Sequence, residues 1–449
     1  MKSKMLNILN VYWTFTLVYY CFGKIKWNIP SYTALVLYAA LCYVCVNIGY
    51  YTVKSKNLGI DKSDIKYQKF NMFYKYKKIF RVSCVVFMIF QITWVVVLMG
   101  DFNIFNVFQN LGSSYFERLS LQIEGSNIAM QFRTLFWIFA YYVYPIGFTF
   151  FKDMGRFDKG LFILTLSVDV LATLNLGISK NIGDIIIILI AVMLLNTHGE
   201  VKSREEKQKN RKKLLKIVLA VFVLFAVFSI IQDKRFEAVG KNPVTVTCDP
   251  KFGSVRELSL IDILFLGNSS IVYLVHSLCN YFSSAYTALA LSFTLPFKTT
   301  YGLGFSRALM EYANQYLHIS VMNNTYCQQL EDVYGWLNGV SWPTAFVWIA
   351  NAVSLVGVPI VMIFLGRIWC KAEIAWKSER RLIGLILYCQ LVIAFIFLPC
   401  NAQIVQSRSS FIATSIMFVM FAFRKWKIKI GNTIITSRSY KYMIQRKIE

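Results

Sequence analysis

The chain has 449 residues, 56% hydrophobic, 16% aromatic and only 16% charged, with a formal net charge of +25. Its mean hydropathy of +0.50 lies outside the range of an ordinary soluble domain and excludes a freely soluble enzyme. A charge of that size suggests a nucleic-acid or acidic partner only if it is spread over one surface, and the chain order shows that it is not.

A helix needs roughly 20 apolar residues to cross a bilayer, because lipid offers no partner to backbone N–H and C=O groups. The first such run, 6–23, has no small-residue cleavage site and is followed directly by a second at 29–51. It therefore reads as an uncleaved helix. Cys42 and Cys45 fall inside the second run and read as packing residues, not as a redox or metal pair. Further spans are expected at 82–100, 132–151, 160–177, 183–197 and 215–232, then at 345–366, 382–400 and 409–423. Between 82–100 and 132–151, the segment 101–131 carries Asp101, Glu117, Arg118 and Glu124 among aromatics, the pattern of a helix lying at the interface.

The stretch 259–296 adds either two spans or none. Its Asn268, His276 and Asn280, with four serines, make it too polar to face lipid, and a re-entrant or broken hairpin fits better. The expectation is an all-α polytopic bundle of 10–12 spans, one integral membrane domain over 1–449, with 233–344 as a large external region of short helices. No repeat of fixed period and no inverted repeat is visible.

The stretches 1–5, 52–81, 152–159, 198–216, 367–381 and 424–449 hold 35 of the 48 Lys and Arg but 10 of the 23 Asp and Glu. The whole excess therefore sits in loops of one side, which makes that side and both termini cytoplasmic. Outside these stretches, acids and bases balance at 13 each.

Chemistry then has to come from a few residues at the outer boundary. From Phe305 to His318, helical spacing puts Arg307, Glu311, Asn314, Gln315 and His318 on one face. That face is either a solvated surface with one weak ion pair or a polar wall against a carbohydrate or phosphate ligand. Tyr301-Gly-Leu-Gly-Phe-Ser-Arg307 precedes it, and its two glycines permit a turn or a close backbone approach. Arg235, Arg256, Arg307 and Arg408 are four guanidinium groups at external boundaries, a geometry suited to phosphate, and lipid diphosphate is the anion found at that level. Lys180 and Asp184 stand at the mouth of the sixth span as an i, i+4 pair, and Asp169 lies inside the fifth with no near partner. Glu331 and Asp332 precede Trp336 and Trp342, which read as interface-belt residues or as platforms for sugar rings. No cluster has metal-ligand spacing, and no cofactor is expected. Cys248 and Cys327 are the expected pair if the external region carries a disulfide.

The segment from Asn280 to Gly304 (Asn-Tyr-Phe-Ser-Ser-Ala-Tyr-Thr-Ala-Leu and onward) resembles bacterial oligosaccharide repeat-unit polymerases of the Wzy type. Gly177 to Asp184, Trp342 to Gly366 and Leu398 to Ile404 are similar to other recurring stretches of that family, so the resemblance runs from about Gly177 to Ala422. Ala285 and Ala352 depart from it, standing where a glycine and an acidic residue are expected.

The resemblance implies a membrane glycosyltransferase of the C-type class on the outer face of a bacterial cytoplasmic membrane. It would move a growing glycan from undecaprenyl diphosphate onto the next lipid-linked repeat unit, with flippase and chain-length regulator proteins as neighbours and no nucleic-acid partner. On that reading Arg235, Arg256, Arg307, Lys180 and Arg408 hold the diphosphate, and Glu311, Glu331 or Asp332 is the base. Tyr301, Trp336, Trp342 and His318 would line the glycan groove. A glycan ligase, a flippase or other transporter, and a membrane scaffold also fit the span count; against a transporter, Asp169 and Asp184 are the only acidic residues within clear spans.

Overall fold

The computed structural model describes residues 3–56, 72–99, 134–177, 180–196, 240, 246–337, 341–425, 427–430 and 433–436. The expected seventh span, the interfacial helix of 101–131 and Arg235 lie outside them.

The described chain is mostly helical. Helix α1 spans Lys4–Phe22, capped by Ser3, whose side chain accepts from the Leu6 N–H. It is followed by strand β1 (Ile25–Trp27), α2 (Tyr32–Lys56), α3 (Met72–Met99), α4 (Ala140–Phe150), α5 (Arg156–Asn175) and α6 (Lys180–Asn196). Next come β2 (Gly253–Val255) and the short helices α7 (Leu260–Leu264), α8 (Ser269–Ser283), α9 (Tyr286–Ser292), α10 (Arg307–Leu317) and α11 (Tyr326–Tyr334). The chain then forms α12 (Ala345–Lys377), α13 (Leu382–Phe397), α14 (Gln403–Gln406) and α15 (Arg408–Ala422), and a β3–β4 hairpin of Lys427–Ile430 with Thr433–Thr436.

Among the described residues, three helices are long and apolar enough to cross a membrane: Tyr32–Lys54, Met72–Val97 and Ala345–Lys377. Thr134–Phe150, Leu382–Phe397 and Arg408–Ala422 are apolar but shorter. At 1.5 Å per residue, the 16 residues of α13 reach about 24 Å, against a hydrocarbon core of about 30 Å. Nearly all of α13 is buried, so its surroundings are protein and not solvent or lipid.

The surfaces of several helices carry the opposite signature. Exposed large apolar side chains recur at helical spacing along α1 (Val11, Phe15, Val18, Phe22), α2 (Leu37, Leu41, Val44, Ile48) and α3 (Val82, Val85, Ile89, Ile92, Val96). On α12, Val356, Ile360 and Phe364 continue the pattern, with Val356 84% exposed. Apolar stripes of that length are far beyond the scattered exposure of a soluble monomer.

Helix α12 packs most closely on α2. A Cβ on Gly49 would lie 2.0 Å from the Ile363 carbonyl oxygen, and one on Gly366 would lie 2.2 Å from that of Val46. The two backbones approach through these glycines, the small-residue contact by which helices associate without a hydrophobic driving force. Helix α12 breaks at Ser354, whose φ is 65°, and contains Pro359, which cannot donate to the Leu355 carbonyl. The Tyr38 hydroxyl donates to that carbonyl instead, at 2.7 Å.

Two features differ from the all-α expectation or refine it. Strand β1 pairs with β2 in register Ile25 to Val255, a ribbon that ties the first loop to the large external region. The 259–296 stretch does break, into α7, α8 and α9, with left-handed backbone at Leu266 and Gly267. All seven residues of α9 are buried, against α2, α11 and α12.

The described parts of four basic stretches, within 72–81, 152–159, 367–381 and 424–425, meet at the end where α2 and α12 finish. There Arg81 pairs with buried Asp158 at 2.6 Å, and the Tyr76 hydroxyl donates to the Arg380 carbonyl at 3.0 Å. Trp376 Nε1 donates to Asn196 Oδ1 at 3.0 Å, and Arg381 donates to the Arg424 carbonyl. Glu373, almost fully buried, accepts from Tyr50 and pairs with Lys377 at 2.7 Å.

The expected Cys248–Cys327 bridge is absent. Neither thiol is in a disulfide: Cys327 is sealed in α11, accepting from Asn351 Nδ2 at 3.2 Å, while Cys248 is half-buried beside the Asp249 carbonyl. Burial pushes the Cys327 thiol up to about 12, which further disfavours the thiolate that exchange requires.

Candidate functional site

Helix α10 begins where the sequence places it, because Ser306 caps it by accepting from the Leu309 N–H while its hydroxyl donates to the Val405 carbonyl. Ala308, Met310 and Ala313 are buried on the face that meets α14 and α15. That packing puts Arg307 and Glu311 against the first residue of α15. Arg307 Nε donates to Glu311 Oε1 at 3.0 Å, and Arg408 Nε donates to Oε2 at 3.0 Å. The Arg408 guanidinium also lies over the Tyr312 ring, 5.3 Å from its centroid. The Arg307 backbone N–H points at Gln406 Oε1, and the Nε2 of that buried amide has no partner.

Three of the expected site residues are thus one cluster: two guanidinium groups about one carboxylate. All three are partly exposed, at 43%, 33% and 39% for Arg307, Glu311 and Arg408. The pairing contributes little to stability at that exposure. Its consequence is positional, since the Glu311 carboxylate holds two guanidinium groups side by side. Both Glu311 oxygens are occupied, which is poor geometry for the base role.

Behind the cluster, α14 and the first turn of α15 form one wall of a half-open cavity. Lys180, Asn181 and Asp184 of α6 line it, with Asp169 of α5 and Gln403 and Ser410 from the cluster side. Lys180 Nζ pairs with Asp184 Oδ2 at 3.0 Å. Asp169 finds partners distant in sequence, accepting from Tyr144 and Gln91. The segment 403–410 therefore links the Arg307–Glu311–Arg408 cluster with Lys180 across a few residues.

The other expected residues stand elsewhere. Arg256 is tied to the end of α1: Nη2 donates to the Cys21 carbonyl at 2.9 Å, and its Nε is buried without a partner. Beside it Lys24 Nζ pairs with Asp262 at 2.8 Å. Burial by itself would raise the Asp262 carboxyl, but hydrogen bonds from Lys24 and Ser259 outweigh it and hold the group below the usual carboxylate range. Helix α10 ends at Leu317, so His318 leaves the expected polar face. It is the C-cap, exposed and left-handed at φ 54°.

Trp336 is buried, its ring edge-on to Phe252 and its Nε1 donating to the Ser341 carbonyl at 2.7 Å. It fastens the external region and presents no open face. Tyr301, 76% exposed, and Trp342, 37% exposed, are open. Glu331 is half-buried on α11, and exposed Asp332 accepts from Gln328 at 2.9 Å. The Asn268 side chain, which sits in a glycosylation-type triplet, caps α8 by accepting from the Ile271 N–H.

Two residues of the site have no counterpart in the sequence reading. Asn351, wholly buried in α12, holds the external segments together: its Oδ1 accepts from the Tyr326 N–H at 2.8 Å and its Nδ2 donates to the Gly304 carbonyl at 3.2 Å. Gln390, 3% exposed, stands in the middle of α13 and lines the cavity. Its signal was present as a lone amide in the run Leu-Ile-Leu-Tyr-Cys-Gln-Leu-Val-Ile.

No family model, curated protein or solved structure matches this chain.

Proposed function

We propose that this protein spans a bacterial cytoplasmic membrane 10–12 times and polymerises lipid-diphosphate-linked oligosaccharide repeat units at its outer face. The membrane placement rests on the three long apolar helices and on the exposed apolar stripes of α1, α2, α3 and α12. The orientation rests on the gathering of basic stretches at one end, which marks the cytoplasmic side.

The observation that carries the activity is the pair of guanidinium groups, Arg307 and Arg408, held about Glu311 at the other end, with Lys180 lining the cavity behind them. In the reaction an acceptor hydroxyl attacks the anomeric carbon of the donor glycan, and the lipid diphosphate leaves with the bonding electrons. Fixed cations at the place where that charge develops lower the barrier more than mobile ones in water. Arg307 and Arg408 present planar, bidentate donors to diphosphate oxygens, with Lys180 as a third positive charge. Tyr301 and Trp342 offer open rings for the glycan. The resemblance of the 177–422 region to repeat-unit polymerases supports the same chemistry.

The test is to compare Arg307→Lys, Arg307→Ala and Arg408→Ala in a strain lacking the native gene, with membrane abundance measured. Each alanine variant is expected to collapse the glycan ladder. A full ladder from normally inserted Arg307→Ala and Arg408→Ala would remove the cluster from the mechanism.

A further inference from the structure

The external region carries an apolar surface that glycosyl transfer does not use. Leu258, Ile263, Leu264 and Leu266 are 60–94% exposed, a concentration of aliphatic surface far beyond scattered exposure. Leu260, Ile263 and Leu264 share one side of α7 by i, i+3, i+4 spacing, while Ile261 is buried and Asp262 pairs with Lys24 at 2.8 Å. At the turn into α8, Leu266 and Gly267 both have left-handed backbone, with φ of 51° and 69°. That conformation is strained for a leucine. Here it displays the most exposed large apolar side chain among the described residues. The turn is firmly held: the Gly267 N–H donates to the Asp262 carbonyl at 2.8 Å, the Asn268 N–H donates to the Phe265 carbonyl at 3.0 Å, and the Asn268 side chain caps α8. Strain kept in place by its surroundings points to a functional segment.

What covers this surface follows from its neighbours. Helix α8 runs beside α1 in the opposite direction: His276 Nδ1 hydrogen-bonds the Tyr19 hydroxyl at 2.7 Å, and Phe282, later in α8, meets Tyr12, earlier in α1, edge-on at 5.9 Å. The Lys24–Asp262 pair sets α7 just beyond Phe22, the last member of the exposed apolar stripe of α1. The α1 stripe and the α7 surface therefore meet at the outer end of α1, where a lipid-facing helix leaves the hydrocarbon. The polar residues of the stretch that follows are turned to protein: His276 to Tyr19, and Ser283 to the Cys279 carbonyl at 2.8 Å.

We propose that α7 and the α7–α8 turn insert into the outer leaflet of the bilayer as a lipid anchor. Leu258, Ile263, Leu264 and Leu266 lie among the upper acyl chains, and the Lys24–Asp262 pair sits at headgroup level. Interfacial apolar faces of this kind bury about 5–10 Å into the headgroup–acyl boundary. The β1–β2 ribbon and the Lys24–Asp262 pair join this segment to the end of α1, so its insertion sets the depth at which the external region rests on the membrane. The proposal rests on the membrane placement and orientation above and on no part of the transfer chemistry.

The experiment places the full-length protein in nanodiscs of phosphatidylcholine and phosphatidylglycerol and labels Leu266→Cys, Leu264→Cys, Val356→Cys and Gln315→Cys with a small thiol-reactive fluorophore. Labelled wild type, whose cysteines are buried or half-buried, supplies the background. Quenching is measured with lipids brominated near the headgroup, with lipids brominated near the chain end, and with iodide in the water. Val356, on the exposed stripe of α12, is the membrane control, and exposed Gln315 of α10 is the water control. The labels at Leu264 and Leu266 are expected to lose at least about half their emission to bromines near the headgroup, less to bromines near the chain end, and to be quenched by iodide at least about threefold less than the label at Gln315. Leu264→Cys carries the test if Leu266→Cys does not insert. Iodide quenching equal to that at Gln315, with no effect of bromine, overturns the proposal by placing the turn in water. Protection from both quenchers overturns it by showing a protein cover, from the 215–232 run or a second copy of the chain. Failure of the membrane placement is distinct: the label at Val356 then escapes bromine as well, and the anchor falls with it.

Discussion

Replacing Asn351 with alanine should loosen the external region from the bundle without touching the cation cluster. Asn351 is completely buried, and two external segments, around 300–304 and at Tyr326, depend on it. Its Oδ1 accepts from the N–H of Tyr326, the first residue of α11 and one of the donors that a helix start leaves open. Its Nδ2 donates to the Gly304 carbonyl, and its own carbonyl accepts from Thr300 Oγ1 at 2.6 Å. Alanine keeps the last of these and removes the first two. Leaving a buried backbone group without a partner costs about 1–3 kcal/mol, so the two together cost roughly 2–6 kcal/mol. Amide hydrogen exchange on the detergent-solubilised protein reads this locally. The Tyr326 amide and peptides covering 300–305 should exchange at least about tenfold faster, while α2 and α13 stay protected. Val353→Ala, two residues along and 39% exposed, is the control and should change nothing. Unchanged exchange at Tyr326 in Asn351→Ala would refute the view that this side chain holds the external segments.

Gly366→Val places new atoms against the Val46 carbonyl and should force α2 and α12 apart, lowering the thermal midpoint in detergent by an amount matching at least about 1–3 kcal/mol. A midpoint equal to wild type would mean that the crossing is looser than its geometry implies. Tyr38→Phe removes the donor that replaces the hydrogen bond lost at Pro359 and should cost about 1–3 kcal/mol. The loss should shrink in a Pro359→Ala background, where the backbone N–H regained at that position can return to the Leu355 carbonyl; an equal loss in both backgrounds would separate the two residues. Asp262 is held below the usual carboxylate range, so its stabilising pair with Lys24 is present at neutral pH. It is lost as pH falls through the ordinary carboxylate value of about 4 and below. Thermal midpoints between pH 6 and pH 3 should fall further for wild type than for Asp262→Asn, and parallel curves would contradict the assignment.

Much of the architecture was legible because it is written in local patterns. Apolar runs gave the helices, and the described parts of four Lys- and Arg-rich stretches lie together at one end. Helix α10 was legible from its 3.6-residue spacing, and the Arg307–Glu311 pair came with it. The Glu311–Arg408 contact is 97 residues apart in sequence, so only packing of α10 on α14 and α15 could reveal it. His318 was expected to continue the helical face but is its C-cap, where the chain turns left-handed.

Trp336 read as a platform because tryptophan near a carboxylate suggests a sugar site. Its partner Phe252 lies too far along the chain for the sequence to show that the ring is already covered. The β1–β2 ribbon escaped notice since three-residue strands carry too little alternation to stand out. Asn351 and Gln390 are single polar letters inside apolar runs. That pattern is visible in the sequence, and it signals a structural or functional demand, because a buried amide without a partner is expensive.

The central claim is that the chain extends a lipid-linked glycan. Deleting the gene and resolving the surface glycan by gel electrophoresis tests this directly. Single repeat units should replace the long-chain ladder, with the ladder restored by the wild-type chain. A ladder of unchanged length in the deletion strain would contradict it.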